Sequence, residues 1–113
     1  MRAPQSAILL RIYTEEGKHG EHGPLHEEIV LRARKLGLAG ATVLRGPMGY
    51  GRSQVVHTAK ILDLSFRLPL VIEIVDAQEK IQTLLEELEG MRDIGLVTTE
   101  KVEVVHYGAK PKG

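Results

Sequence analysis

The strongest constraint on this chain is a change of hydrophobic period that happens twice. Over residues 6–13, Ile8, Leu10 and Ile12 alternate with Leu9, Arg11 and Tyr13, and a two-residue period sends alternate side chains to opposite faces of a β-strand. Further on, Leu25, Ile29, Ala33 and Leu36 fall on one side of a helix, the mark of an element with one buried face. The order then returns, with a β-branched run at residues 70–75 followed by Ile81, Leu84, Leu85, Leu88 and Met91 at helical spacing.

The punctuation agrees with the periods. Residues 15–23 form a polar stretch rich in Gly and His, and Pro24 suits a helix start, where its missing N–H leaves no bond unmade. Gly37 offers the left-handed position that stops the first helix, predicted over 24–36. Asp76 and Glu79 have the spacing of a capping box for the second helix. Further strands are predicted over 41–45 and 101–107, whereas the stretch after the Gly-rich residues 46–51, up to Leu68, supports either a short helix or a strand. The expected fold is α+β: a ferredoxin-like βαββαβ sandwich formed by one domain over residues 1–113.

One sheet face should pack on both helices, using Ile8, Leu10, Ile12, Ile72 and Ile74. The other is expected to carry Leu9, Val43, Val71, Val75, Val105, Tyr13 and Tyr107, with Arg11, Arg45, Glu73 and Glu103 among them. A face that apolar expects cover, and a closed ring of identical subunits, a trimer, would supply it. Arg45 and Glu73 are expected to form a cross-strand or intersubunit ion pair.

Composition narrows function by exclusion. Fifteen Lys and Arg balance fifteen Asp and Glu, so no net field draws the chain to nucleic acid or to an anionic membrane. With no cysteine there is no thiolate nucleophile, and a metal would have to be held by His and carboxylates. The first apolar run is too short for a signal or a membrane span, which reads as a cytoplasmic protein. No local motif assembles a catalytic set, and the expectation is a protein that is not an enzyme.

The Gly-rich turn carries the most specific signal. Glycines at 46, 49 and 51 allow backbone N–H groups to approach a phosphate closely. Residues 37–43 read Gly-Leu-Ala-Gly-Ala-Thr-Val, leading into Gly49-Tyr-Gly51-Arg52, then Leu68-Pro69-x-Val71-x-Glu73-Ile74-Val75, and later Gly95-Leu-Val97-Thr98 with Glu100-Lys101-Val102. This combination resembles the PII signal-transduction proteins, and most closely their uncharacterised PII-like relatives. The resemblance implies a ferredoxin-like homotrimer with an adenine nucleotide (AMP, ADP or ATP) in clefts between subunits. It also implies a loop after the second strand that signals to a regulated target protein, a transporter or an enzyme.

Carried over by position, the resemblance sets Thr42 near the adenine, Gly49, Gly51 and Arg52 at the base of the signalling loop, and Lys101 at phosphate. Gly46, His57, Lys60, Gly95, Val97 and Thr98 complete the expected nucleotide site. The chain departs from PII at Ser53, where PII has a glutamine, and it lacks the PII tyrosine that is nucleotidylated and the arginine-bearing C-terminal loop. Arg52, Lys60, Lys101 and the tail residues Lys110 and Lys112 are left to neutralise phosphate, so AMP or ADP should compete well with ATP. Tyr50 could stack on a base or form the tip that a partner recognises.

An alternative reading uses His19, His22 and His26, with Glu21 and Glu27 nearby, as divalent-metal ligands in a trimer similar to the cation-tolerance proteins. A solvated polar loop is the plainer account of the same residues, and a lid over the nucleotide cleft is a third. A small ferredoxin-like enzyme would instead need a closed apolar pocket in each subunit, which an aromatic content of 4% does little to favour.

Overall fold

The computed structural model describes residues 5–59 and 67–108. Strand β1 (Gln5–Glu15) is followed by a two-residue hairpin, β2 (His19–Gly20) and β3 (Gly23–Pro24), and then by helix α1 (Leu25–Lys35). Next come β4 (Thr42–Arg45), a second small hairpin of β5 (Met48–Gly49) with β6 (His57–Thr58), then β7 (Pro69–Asp76), α2 (Gln78–Glu89) and β8 (Val97–Val104). The main sheet is antiparallel in the order β4-β7-β1-β8, the strand order of the split βαβ arrangement expected from the sequence.

Both helices cover one face of this sheet. Leu10 and Ile12 of β1, Ile72 and Ile74 of β7, Leu25, Ile29 and Ala33 of α1, and Ile81, Leu84 and Leu88 of α2 form one buried cluster. Helix α1 stops as its sequence dictates. Leu38 N–H donates to Ala33 O at 3.0 Å and Gly37 N–H to Arg34 O at 3.1 Å, with Gly37 at φ +81°, the paired bonds of a glycine-ended helix. No helix among the described residues is long and apolar enough to cross a membrane.

The structure corrects several sequence expectations. Asp76 and Glu79 form no capping box: Ala77 is the N-cap, without a side-chain bond. Asp76 stays in the strand and spends its oxygens on backbone N–H groups, Oδ1 on Ala77 at 2.7 Å and Oδ2 on Ala39 at 2.9 Å. The last strand begins at Val97 rather than Lys101 and ends before Val105, because Val97 belongs to the core side opposite Ile12.

The phase of the edge strands also differs. Register pairs Val43 with Ile72, Arg45 with Leu70 and Glu103 with Ser6, and directly opposed residues share a face. These three therefore sit on the helix side of the sheet at its edges. The open face takes Leu44 opposite Val71, Thr42 opposite Glu73, Val102 opposite Ala7 and Glu100 opposite Leu9. Accordingly Arg45 and Glu73 do not pair across the strands of one chain: Arg45 meets Glu16 at 3.5 Å, while Glu73 meets Arg11 at 2.9 Å.

Candidate functional site

Strand β1 carries a groove at each end. At its N-terminal end, a groove of about 580 Å³ is lined by Leu9, Gly40, Thr42, Val75, Asp76 and Tyr107, among others. Thr42 opens β4 on the uncovered sheet face. The segment leading to it is held from two sides, Asp76 accepting from Ala39 N–H at 2.9 Å and the Tyr107 hydroxyl donating to Ala39 O at 2.7 Å. The residues after β8 thereby fold back over the groove and Tyr107 forms part of its wall.

The second groove, about 410 Å³, lies at the other end of β1 and is lined by Tyr13, Gly49, Gly51, Arg52, His57 and Gly95, with further neighbours. Its glycines have different reasons to be there. A side chain on Gly49 or Gly46 would press on Pro69 Cγ at 3.0 and 3.1 Å, so both let the β5–β6 hairpin lie close against β7. Gly95 lies against the carbonyl oxygen of Tyr13, where a Cβ would collide with it; the same junction holds Tyr13 N–H to Leu96 O at 2.8 Å. Gly51 alone among these faces open space. Nearby, Gln54 takes a positive φ of 66° and its N–H closes a turn onto Gly51 O at 2.9 Å.

The charges here are mixed. His57 Nε2 lies 3.7 Å from Glu15 Oε2, and Lys18 Nζ lies 3.9 Å from Glu15 Oε1. Glu15 is thus flanked by two nitrogen groups, and Arg52 lines the same groove.

The sequence-derived site residues fall into separate groups. Gly49, Gly51, Arg52, His57 and Gly95 gather at the C-terminal end of β1, with Gly46 beside them, bonded through its N–H to Pro69 O at 2.9 Å. Thr42 lines the other groove, on β4 two strands across from β1 and level with Arg11 through Glu73. Lys101, opposite Ile8, lies on the helix side of the sheet, in a separate cleft with Ser6 and Gln78. Thr98 is on the open face opposite Arg11, and Val97 packs against the core. Lys60, Lys110 and Lys112 lie outside the described residues.

Between the grooves the open face carries a charged trio. Arg11 Nε lies 2.9 Å from Glu73 and Nη1 3.2 Å from Glu100. The hydrogen bond to Glu73, helped by the charges of Glu73 and Glu100, raises the Arg11 guanidinium above its ordinary range. Around the trio, Tyr13, Leu44 and Val75 are exposed.

The histidines are not brought together as a metal centre. His19 is in β2, His22 is in the turn beyond it and lies 3.8 Å from Glu21, and His26 is in the first turn of α1. Among the described residues no group of three His, Cys, Asp or Glu side chains is placed to hold a metal ion.

The residues that sequence reasoning missed are Asp76, Ala39 and Tyr107, whose contacts span the chain and leave no local signal. Only Tyr107, placed on the open face by its pattern, was near its observed role as a groove wall.

The antiparallel four-stranded sheet with two helices on one side is a fold of the PII-like class. It is similar to a PII-like signaling protein from Thermus thermophilus, with a TM-score of 0.67 at 18% identity over 92% of this chain and 94% of that one. It is similar also to CPII of Thiomonas intermedia, a structure bound to ADP and bicarbonate, with a TM-score of 0.60 at 22% identity over 91% and 92% of the two chains. By sequence, the chain belongs to the DUF190 family, described as uncharacterized ACR, whose model matches residues 7–104. Its relatives include a UPF0166 protein of Aquifex aeolicus, 43% identical over 87% of this chain and 92% of the relative. Another, from Methanocaldococcus jannaschii, is 37% identical over 80% and 84%.

Proposed function

We propose that this protein is a cytoplasmic PII-like regulator that binds an adenine nucleotide between the subunits of a homotrimer and performs no chemistry on it. The observation that carries this reading is the division of the site. Thr42 and the Gly49–Arg52 turn occupy grooves at opposite ends of β1 in one chain. A ring that sets one subunit's Thr42 groove against a neighbour's Gly-rich turn would unite them. The same ring would cover the open sheet face, where Tyr13, Leu44 and Val75 are otherwise exposed.

In this reading Arg52 neutralises phosphate and the open Gly51 lets backbone approach it. The segment between β4 and β7 reports the ligand to a target protein, because nucleotide binds one of its conformations better than the others. The ADP bound to the similarly folded CPII supports the ligand class.

The test combines light scattering with thermal denaturation and calorimetry in AMP, ADP and ATP. A ligand at a hundred times its Kd adds about 2.7 kcal/mol to the native state, enough to raise Tm by roughly 10 °C in a domain of this size. We expect a trimer, a shift of that order, loss of affinity in Arg52→Ala and Thr42→Ala, and intact nucleotide after prolonged incubation. A stable monomer without nucleotide binding, or turnover of the nucleotide, overturns the reading.

A further inference from the structure

On the helix side of the molecule, sharing Asp93 with the groove at the C-terminal end of β1, a cleft of about 520 Å³ separates the β2–β3 hairpin from the C-terminal end of α2. Its floor is built by Glu28 and Arg32, one turn apart on α1, and by Glu87 of α2. Arg32 bridges the two carboxylates, reaching Glu28 Oε1 at 3.2 Å and Glu87 Oε1 at 3.5 Å. One guanidinium thus serves one oxygen of each acid.

The second oxygens remain. The Glu28 side chain is 8% exposed, and its Oε2, like the buried Oε2 of Glu87, has no hydrogen-bond partner among the described residues. The Glu28 oxygen points to Gly20 of the hairpin, where a Cβ would collide with it. Glycine at that position therefore leaves room for this carboxylate in the cleft wall. A buried carboxylate oxygen without a donor is costly, and a charged donor recovers the most.

Acids outnumber bases in the lining of the cleft. Glu21, Glu28, Glu87 and Asp93 line it against Arg32 and Arg92. The last turn of α2 has no basic residue, although a helix C-terminus carries partial negative charge that a cation would offset. With no trio of metal-ligating side chains among the described residues, the fitting ligand is one that brings several N–H donors on a single positive charge.

We infer that this cleft binds a small organic cation carrying a guanidinium or primary ammonium group, held by Glu28 and Glu87 beside the Arg32 bridge. The inference does not rest on the nucleotide reading, since neither of the two carboxylates that hold the cation lines a β1 groove.

The test is a backbone NMR titration of the full chain with methylguanidinium chloride and with methylammonium chloride, each against sodium chloride at equal ionic strength. The expected result is a saturable shift centred on the amides of Gly20 and Gly90 with at least one of the two cations and absent with sodium. Affinity should fall about tenfold or more in Glu28→Gln, as loss of a charge-assisted hydrogen bond implies. Glu87→Gln, on a more exposed side chain, gives the same reading should Glu28→Gln fail to fold. Shifts that do not saturate, that sodium reproduces, or that survive in the folded variants overturn the inference.

Discussion

Tyr107 and Ala39 are sixty-eight residues apart, and the tyrosine hydroxyl donates to the alanine carbonyl at 2.7 Å. The bond ties the segment after the last strand to the segment that leads into Thr42, so the wall and the floor of one groove are a single mechanical unit. Tyr107→Phe removes the donor and keeps the ring. Denaturant melts should show a loss of about 0.5–1.5 kcal/mol, and calorimetry should show nucleotide affinity changing with it. Unchanged stability together with unchanged affinity would mean that the segment closes nothing.

Asp76 grips the same residue from the other side, through Ala39 N–H at 2.9 Å, and also holds Ala77 N–H at 2.7 Å. Asp76→Ala removes the acceptor of two exposed bonds, whose donors water can serve instead, and should cost about 0.5–1.5 kcal/mol. Asp76→Asn keeps one acceptor oxygen and should retain part of that. Chemical denaturation of the three proteins decides it.

Glycines 95 and 51 make a pair of opposite expectations. Gly95→Ala drives a Cβ into the Tyr13 carbonyl, and overpacking against backbone should cost about 1–3 kcal/mol. Gly51→Ala meets nothing within 4 Å and should leave stability within about 0.5 kcal/mol. If backbone at Gly51 approaches phosphate, the same alanine weakens nucleotide binding without touching the melting curve.

The Arg11–Glu73 contact at 2.9 Å joins two partly exposed side chains of the open face. A double-mutant cycle with Arg11→Ala and Glu73→Ala should give a favourable coupling at low salt that shrinks at ~1 M, where screening acts over about 3 Å. Coupling that resists salt would indicate that the pair is covered in the assembled protein.

Much of the frame was legible in the sequence because it depends on neighbours along the chain. Ile8, Leu10 and Ile12 have the period of β1, and Gly37 stops α1 at φ +81°. Strand β4 was misread in phase: four residues, all exposed, give no alternation to count, and only the pairing of Val43 with Ile72 fixes its faces. Asp76 was misread because a capping box and a strand end look alike until the distant Ala39 N–H is known. The site was legible as a set of residue types, yet not as a place. Gly95 against Tyr13, and His57 beside Glu15, are meetings of remote segments that no local period announces.

Strand β1 is paired along eight residues with β7 and along eight with β8. A strand bonded on both edges cannot slide by less than a whole register step, and such a step would turn its buried side chains to the open face. It therefore behaves as a gauge block: the spacing between the Thr42 groove and the Gly-rich turn is set by covalent length and does not yield to a ligand. Were a nucleotide bound as proposed, adaptation to it would fall to the pieces outside the block, the segment carrying Tyr107 and the hairpin carrying Arg52.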